Sequence, residues 1–136
     1  MNQKFVLIMI VIAAVFVSAT AFAQLRPYDQ LMKDVGATFA SLKKNLDANS
    51  AAAAAEDAAK LEGLFTETEA FWAPLKTKDA VDFANSARDT VAKVGAAAKG
   101  NDTKAALEAY GAVGKNCAGC HFTHREENQK GFLIKP

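Results

Sequence analysis

Apolar residues recur along most of this chain every three or four positions, which is the period of a helix with one buried face. After Pro27, the residues Tyr28, Met32, Val35, Phe39, Leu42 and Leu46 follow at spacings of four, three, four, three and four, and "DANS" at 47–50 breaks the stripe. A second segment runs from the alanine block at 51–55 to about Phe71, with Ala54, Ala58, Leu61, Phe65, Thr68 and Trp72 on one face. Pro74 ends it, because proline pushes the residue before it out of the helical region. A third helix opens near Thr77 or Asp79, either of which can serve as N-cap. It carries Phe83, Ala84, Ala87, Val91, Val94 and Ala98 inward and stops at "KGND", with Gly100 placed as C-cap. The fourth begins around Asp102 or Thr103, meets no proline until the last residue, and is expected to reach about Glu127. Four amphipathic helices with short connections predict an all-α, antiparallel four-helix bundle.

Composition supports helices over strands. Beyond residue 23 there is one isoleucine, Ile134, and five valines, a poor supply of β-branched side chains. The N-terminus reads differently from the rest. A single basic residue, Lys4, precedes an uninterrupted apolar run from Phe5 to Val17, and the stretch closes on Ala21-Phe22-Ala23. That is the layout of a secretory signal peptide over 1–23, with small residues at the cleavage site, leaving one domain over 24–136. An uncleaved anchor is the alternative, since the apolar stretch approaches the roughly 20 residues that span a bilayer. Either way the remainder is exported, so a periplasmic location is expected. Without Lys4 the basic residues fall from 16 to 15, against 15 acidic ones, and this balance removes any electrostatic case for nucleic acid.

The only two cysteines lie in "GKNCAGCHFTHR", residues 114–125. Two residues separate Cys117 from Cys120, and His121 follows at once. A redox dithiol prefers a helix N-terminus after a strand, where the thiol pKa is lowered, and this motif falls well inside a helix. Zinc would need a closed tetrahedron, for which the consecutive side chains Cys120 and His121 are awkwardly directed. Covalent haem accounts for every residue. Two thiols one turn apart can each add across a vinyl group of a porphyrin to form thioethers, and the next residue offers a neutral imidazole to the iron. On a helix, Cys117, Cys120 and His121 fall within a sector of roughly 100°, on the side that carries Tyr110 and Val113. His124, on the same helix, does not reach the opposite face of such a ring and reads as a partly buried or surface histidine. No methionine follows His121, and Met32 is the only one after residue 23; it sits on the first stripe, as core filler or as a second iron ligand.

"YDQLMKDVGATF", "FWAPL" and "GAVGKNCAGCHFTHR" together resemble the class II cytochromes c, the family of cytochromes c′ and their low-spin relatives, along the whole chain after the signal. The resemblance implies one covalent haem c held by Cys117 and Cys120, with His121 as proximal ligand. "MKDVG" at 32–36 resembles the low-spin pattern, which makes Met32 the distal ligand. Arg125 matches an arginine close to the haem, where its guanidinium offsets propionate charge. Tyr28 and His124 depart from the family pattern, which often has an arginine and an aromatic there. The implied function is non-enzymatic: a periplasmic electron-transfer cytochrome whose partners are redox donor and acceptor proteins. The alternative is a five-coordinate, cytochrome c′-like protein open to NO or CO. The resemblance also allows pairing of two copies into a homodimer, and confines membrane contact to an uncleaved signal segment. The tail "KGFLIKP" is expected to pack on the bundle or fray, and a cavity bounded by Met32 and His121 is expected between the first and fourth helices.

Overall fold

The computed structural model describes residues 26–128 and 131–135; the signal peptide expected over 1–23 lies outside the described residues. Four helices form where the periodicity places them: α1 (Tyr28–Asp47), α2 (Ala51–Trp72), α3 (Lys78–Lys99) and α4 (Thr103–His124). A single 3₁₀ turn, Ala73–Leu75, holds Pro74 and links α2 to α3. The helices pack as an antiparallel four-helix bundle, each against the next in sequence.

The α1–α2 and α3–α4 connections use the same device. Asn49 and Asn101 stand in the left-handed region, with φ of 54° and 55°. Around each, two backbone bonds close the preceding helix: Ser50 N–H to Asn45 O (2.8 Å) and Asn49 N–H to Leu46 O (3.1 Å) after α1, and Asp102 N–H to Ala97 O and Asn101 N–H to Ala98 O after α3, both 3.0 Å. This is the double bond pattern that satisfies carbonyls otherwise orphaned at a helix end. Gly100 occupies the C-cap as expected, but Asn101 takes the left-handed turn. Asp102 then caps α4, its side chain accepting from Ala105 N–H at 3.0 Å.

The core runs through Leu31, Val35, Leu42 and Leu46 of α1, Leu61, Leu64 and Phe65 of α2, Val91 and Val94 of α3, and Val113 of α4. Burying each such side chain contributes about 1.5–3 kcal/mol, so the bundle's stability lives here. The α1 stripe read from the sequence is split by the real packing. Leu31, Val35, Thr38, Leu42 and Leu46 are buried, whereas Tyr28, Met32 and Phe39 lie half-buried along one edge. Helices α2 and α3 approach most closely: a Cβ built on Gly95 would stand 3.3 Å from Ala58 Cβ. By contrast, α1 and α4 touch only sparsely.

The C-terminal end departs from expectation. Helix α4 stops at His124, not near Glu127, and a two-stranded antiparallel hairpin follows, β1 (Arg125–Asn128) with β2 (Gly131–Ile134). The sequence pattern predicts no strand there. The physical reason is a clasp at the helix end: Lys135 N–H donates to His124 O at 2.9 Å while His124 Nδ1 meets Lys135 O at 2.8 Å. His124 is therefore buried, with its ring 5.0 Å from the Trp72 ring and Nε2 2.8 Å from Asp79 Oδ2.

Candidate cofactor site

Helix α4 presents Tyr110, Gly114, Cys117 and His121 as one stripe, at spacings of four, three and four. Its opposite number on α1 is the half-buried edge of Tyr28, Met32 and Phe39. The two stripes meet at one place: Phe39 stacks on Tyr110 with centroids 4.1 Å apart, Tyr110 Oη donates to Phe39 O at 3.3 Å, and Phe39 Cζ would lie 3.9 Å from a Cβ on Gly114. The helices are antiparallel, so two turns away the same stripes face each other again. Seven residues back from Phe39 is Met32; seven forward from Tyr110 and Gly114 are Cys117 and His121. The structure thus brings Met32 level with Cys117 and His121 across the sparse α1–α4 seam.

Burial is graded along the motif. Cys117 and Cys120 are half-buried free thiols, and His121 is exposed at the open end of the seam. Burial raises both thiol pKa values, that of Cys120 to about 11, where the neighbouring Cys117 and Asp79 push the same way. Both therefore stay as S–H at neutral pH. This opposes the redox-dithiol alternative, which needs a lowered thiol pKa. Partial desolvation lowers the His121 pKa below 6.5 despite its exposed edge, and the Arg125 cation adds to the effect, so the imidazole is neutral and able to act as a metal ligand. Arg125 itself is exposed, opening β1 close to that ring.

No group of three or more His, Cys, Asp or Glu side chains is arranged to hold a metal ion by itself among the described residues. That is unfavourable to the zinc alternative, and His124 has both ring nitrogens engaged elsewhere. An iron carried in by a porphyrin is a different case, because it needs from the chain only one or two axial donors. The residues present fit such a group in three respects: paired S–H groups one turn apart, a neutral imidazole beside them, and a thioether across a seam that the helices leave thinly packed. Two cavities among the described residues lie at the other end of the bundle, near Asn45, Ala51, Ala98 and Asn101, and neither is the one expected between Met32 and His121.

Several neighbours were not read from the sequence. Tyr28 stacks on Phe71 (4.0 Å), accepts from Trp72 Nε1–H (2.8 Å), and has its phenol pKa pushed up to about 12 by burial, against the lowering effect of the Trp72 bond. It stays a neutral hydroxyl. Gly119, between the cysteines, is covered by Phe83 of α3: a Cβ there would lie 2.6 Å from the ring. A glycine in a helix interior costs about 1 kcal/mol, and that cost was the available signal of a close approach. Phe83 buttresses the motif from the side away from α1. Asp79, foreseen only as a cap, instead accepts from His124. No family model matches the chain, and no curated protein does either.

Proposed function

We propose that the exported chain is a monohaem c-type electron-transfer protein, in which Cys117 and Cys120 hold the porphyrin, His121 is the proximal ligand and Met32 the distal one. The observation that carries this reading is the register of the two stripes, which puts Met32 level with Cys117 and His121 across the thinly packed α1–α4 seam. Met32 on that edge, half-buried and outside the fully buried core, is better suited to donating its sulfur than to filling volume. When bound, the haem would supply a metal that changes oxidation state by one electron, and a thioether from Met32 with the imidazole of His121 as ligands would bias it toward the reduced form.

The chain's own residues do the rest. Cys117 and Cys120 would tie the group to α4 through thioethers, so that it could not dissociate between redox events. His121 keeps one nitrogen for the iron and leaves the other for an outer hydrogen bond, which sets its basicity. Tyr110 and Phe39 close one end of the seam and Tyr28 with Trp72 the other, limiting water between them. Arg125 places a cation near the open edge, where carboxylates of the cofactor are stabilised. No residue has to act as acid, base or nucleophile.

Optical spectra of the oxidised and reduced protein test the assignment. Low-spin bands that resist CO support it. High-spin bands with ready CO binding replace it with the gas-binding reading, and an unchanged spectrum in Met32→Ala removes the distal ligand from it. Absence of pigment after denaturation and acid-acetone extraction overturns both readings together.

A further inference from the structure

His124 is only 7% exposed, and its ring meets a polar atom at each nitrogen. Nδ1 lies 2.8 Å from the backbone oxygen of Lys135, and Nε2 lies 2.8 Å from Oδ2 of Asp79. A carbonyl oxygen and a carboxylate oxygen only accept, so each contact is a hydrogen bond only when the nitrogen opposite carries a hydrogen. A neutral imidazole has one such hydrogen and the imidazolium has two. The cation therefore satisfies the arrangement and neither neutral tautomer does. Asp79 could donate only if protonated, and its carboxyl pKa is lowered from 3.8, first by the hydrogen bond from His124.

The groups around the ring leave this pairing in place. Trp72 of α2 covers it, with ring centroids 5.0 Å apart, and carries no charge. Tyr28 of α1 stands behind Trp72, accepting from its Nε1–H, and is a neutral hydroxyl with its pKa pushed up to about 12. On α4 itself, burial pushes the Cys120 thiol up to about 11 and lowers the His121 pKa, so both are uncharged at neutral pH. At the start of α3, Lys78 pairs with Asp82 at 2.6 Å. From the hairpin come the side chains of Arg125, Glu126, Glu127 and Lys135, all exposed to solvent.

What the ring holds is the far end of the chain. Both backbone polar groups of Lys135 are spent on His124: its N–H donates to His124 O at 2.9 Å, and its carbonyl faces Nδ1. Lys135 directly follows β2, whose Ile134 pairs with Arg125 at the start of β1, so the clasp closes the open end of the hairpin. A two-stranded hairpin is marginal in water by itself. The end of α4 is the main support that the helices give it.

We propose that His124 is a proton-operated latch: as imidazolium it pins the C-terminal hairpin to α4, and on losing its second proton it lets the hairpin go while keeping Asp79. The two arms are unequal. A hydrogen bond to a carboxylate is charge-assisted and stronger than one to a neutral carbonyl, so the hydrogen left on the neutral ring stays at Nε2. Nδ1 then turns a lone pair toward the Lys135 oxygen, and that oxygen loses its partner. Stabilisation of the hairpin is full in the cationic form and declines as rising pH removes the proton. On the acid side the Asp79 arm is lost as pH falls through its lowered pKa, below 3.8. The latch itself does not depend on the haem. Its consequence for the site does rest on that reading: an open latch loosens the strand that holds Arg125 at the edge of the cofactor.

The test is an NMR titration of the purified exported protein, kept reduced, from about pH 5 to pH 10, across and beyond the usual histidine range. It reads the two His124 ring nitrogens and the Cα shifts of Glu126, Leu133 and Ile134, which report strand. In the wild type both ring nitrogens are expected to carry hydrogen at the acid end. The strand shifts should then move toward coil values as Nδ1 loses its hydrogen, with half of the change where half of the rings have titrated. Asp79→Asn is the discriminating variant, and because residue 79 is exposed it should fold as the wild type does. Its amide can donate to Nε2, so the neutral ring keeps Nδ1–H on Lys135 O and the strand shifts should stay in place across the range. A wild-type ring with one hydrogen at the acid end overturns the proposal. So do strand shifts that ignore the ring's titration, or an Asp79→Asn protein that loosens as the wild type does. None of these readings uses pigment, so failure of the latch and failure of the haem assignment are separate results.

Discussion

Where α2 meets α3, alanines and a glycine lie among the buried residues, and the helices come close enough for Gly95 to lie against Ala58. Where α1 faces α4 the residues are Tyr28, Met32, Phe39, Tyr110, Cys117 and His121, and the helices hardly touch. One bundle therefore has two kinds of seam. The first is a wall closed by backbone approach at Gly95 and Ala58. The second carries large, polarisable and titratable side chains, of which Phe39 and Tyr110 stack on each other. The α2–α3 seam and the shared core hold the bundle, which leaves the α1–α4 seam free for chemistry.

The largest effect should come from the site and leave the wall intact. Cys117→Ala with Cys120→Ala should abolish acid-acetone-resistant pigment altogether. Helix content should persist, since neither thiol belongs to the fully buried core, and the stability lost should be no more than about 1–2 kcal/mol. Absorbance of the denatured protein and a chemical melt read the two quantities separately. Pigment surviving in the double variant would refute the attachment.

The opposite dissociation is expected at the wall. Ala58→Leu, at a fully buried position facing Gly95, forces side-chain volume into a seam with none to spare and should cost about 1–3 kcal/mol. The optical spectrum should not move. Met32→Leu on the sparse seam reverses this pattern: a volume-conserving swap that costs less than about 1.5 kcal/mol but should convert the iron to high spin. If Ala58→Leu shifts the spectrum as much as Met32→Leu does, the two seams are not independent.

Gly119→Ala probes the boundary between them. The new Cβ would lie 2.6 Å from the Phe83 ring, so the ring must move. A strain of about 1–3 kcal/mol is offset by the helix propensity gained over glycine, about 1 kcal/mol. A net loss is expected, rescued by Phe83→Leu. Additive melting temperatures in the double variant would show that the two residues do not share the strain.

The helices were legible because they depend on local repetition: four apolar stripes, two Asn-containing breaks and Pro74 mark them without reference to partners. Which side of a stripe is deepest was not legible, because the difference between Leu31 and Met32 is one of 100° around α1 and is set by where α2 and α4 lie. The motif at 117–121 announced its chemistry through residue type and spacing, and Met32 was found by being the only methionine after residue 23. Phe83, Trp72 and Asp79 were not tied to the motif, since they reach it from α2 and α3 across distances that spacing does not encode. The hairpin was hidden for a similar reason. "REEN" and "GFLI" are short and mixed, and they pair because His124, buried against Trp72, fixes the point from which the chain turns back.

The smallest expected effect concerns that fixed point. Asp79 is largely exposed, yet its carboxyl pKa is lowered from 3.8, first by the hydrogen bond from His124 and further by attraction to the same ring. A carboxyl whose pKa is lower in the folded state binds its proton more readily when unfolded. Its stabilising contribution is therefore complete above 3.8 and is lost as pH falls through the lowered folded value. Solvent screening keeps the contribution small at so exposed a group. Melts from about pH 6 to pH 2 should show the wild type losing slightly more stability on acidification than Asp79→Asn, because the amide has no such proton to gain. The difference should vanish at the acid end, where neither protein has the charge. Parallel curves would mean that His124 is held by Trp72 and Lys135 alone, and the hairpin would then be anchored without help from α3.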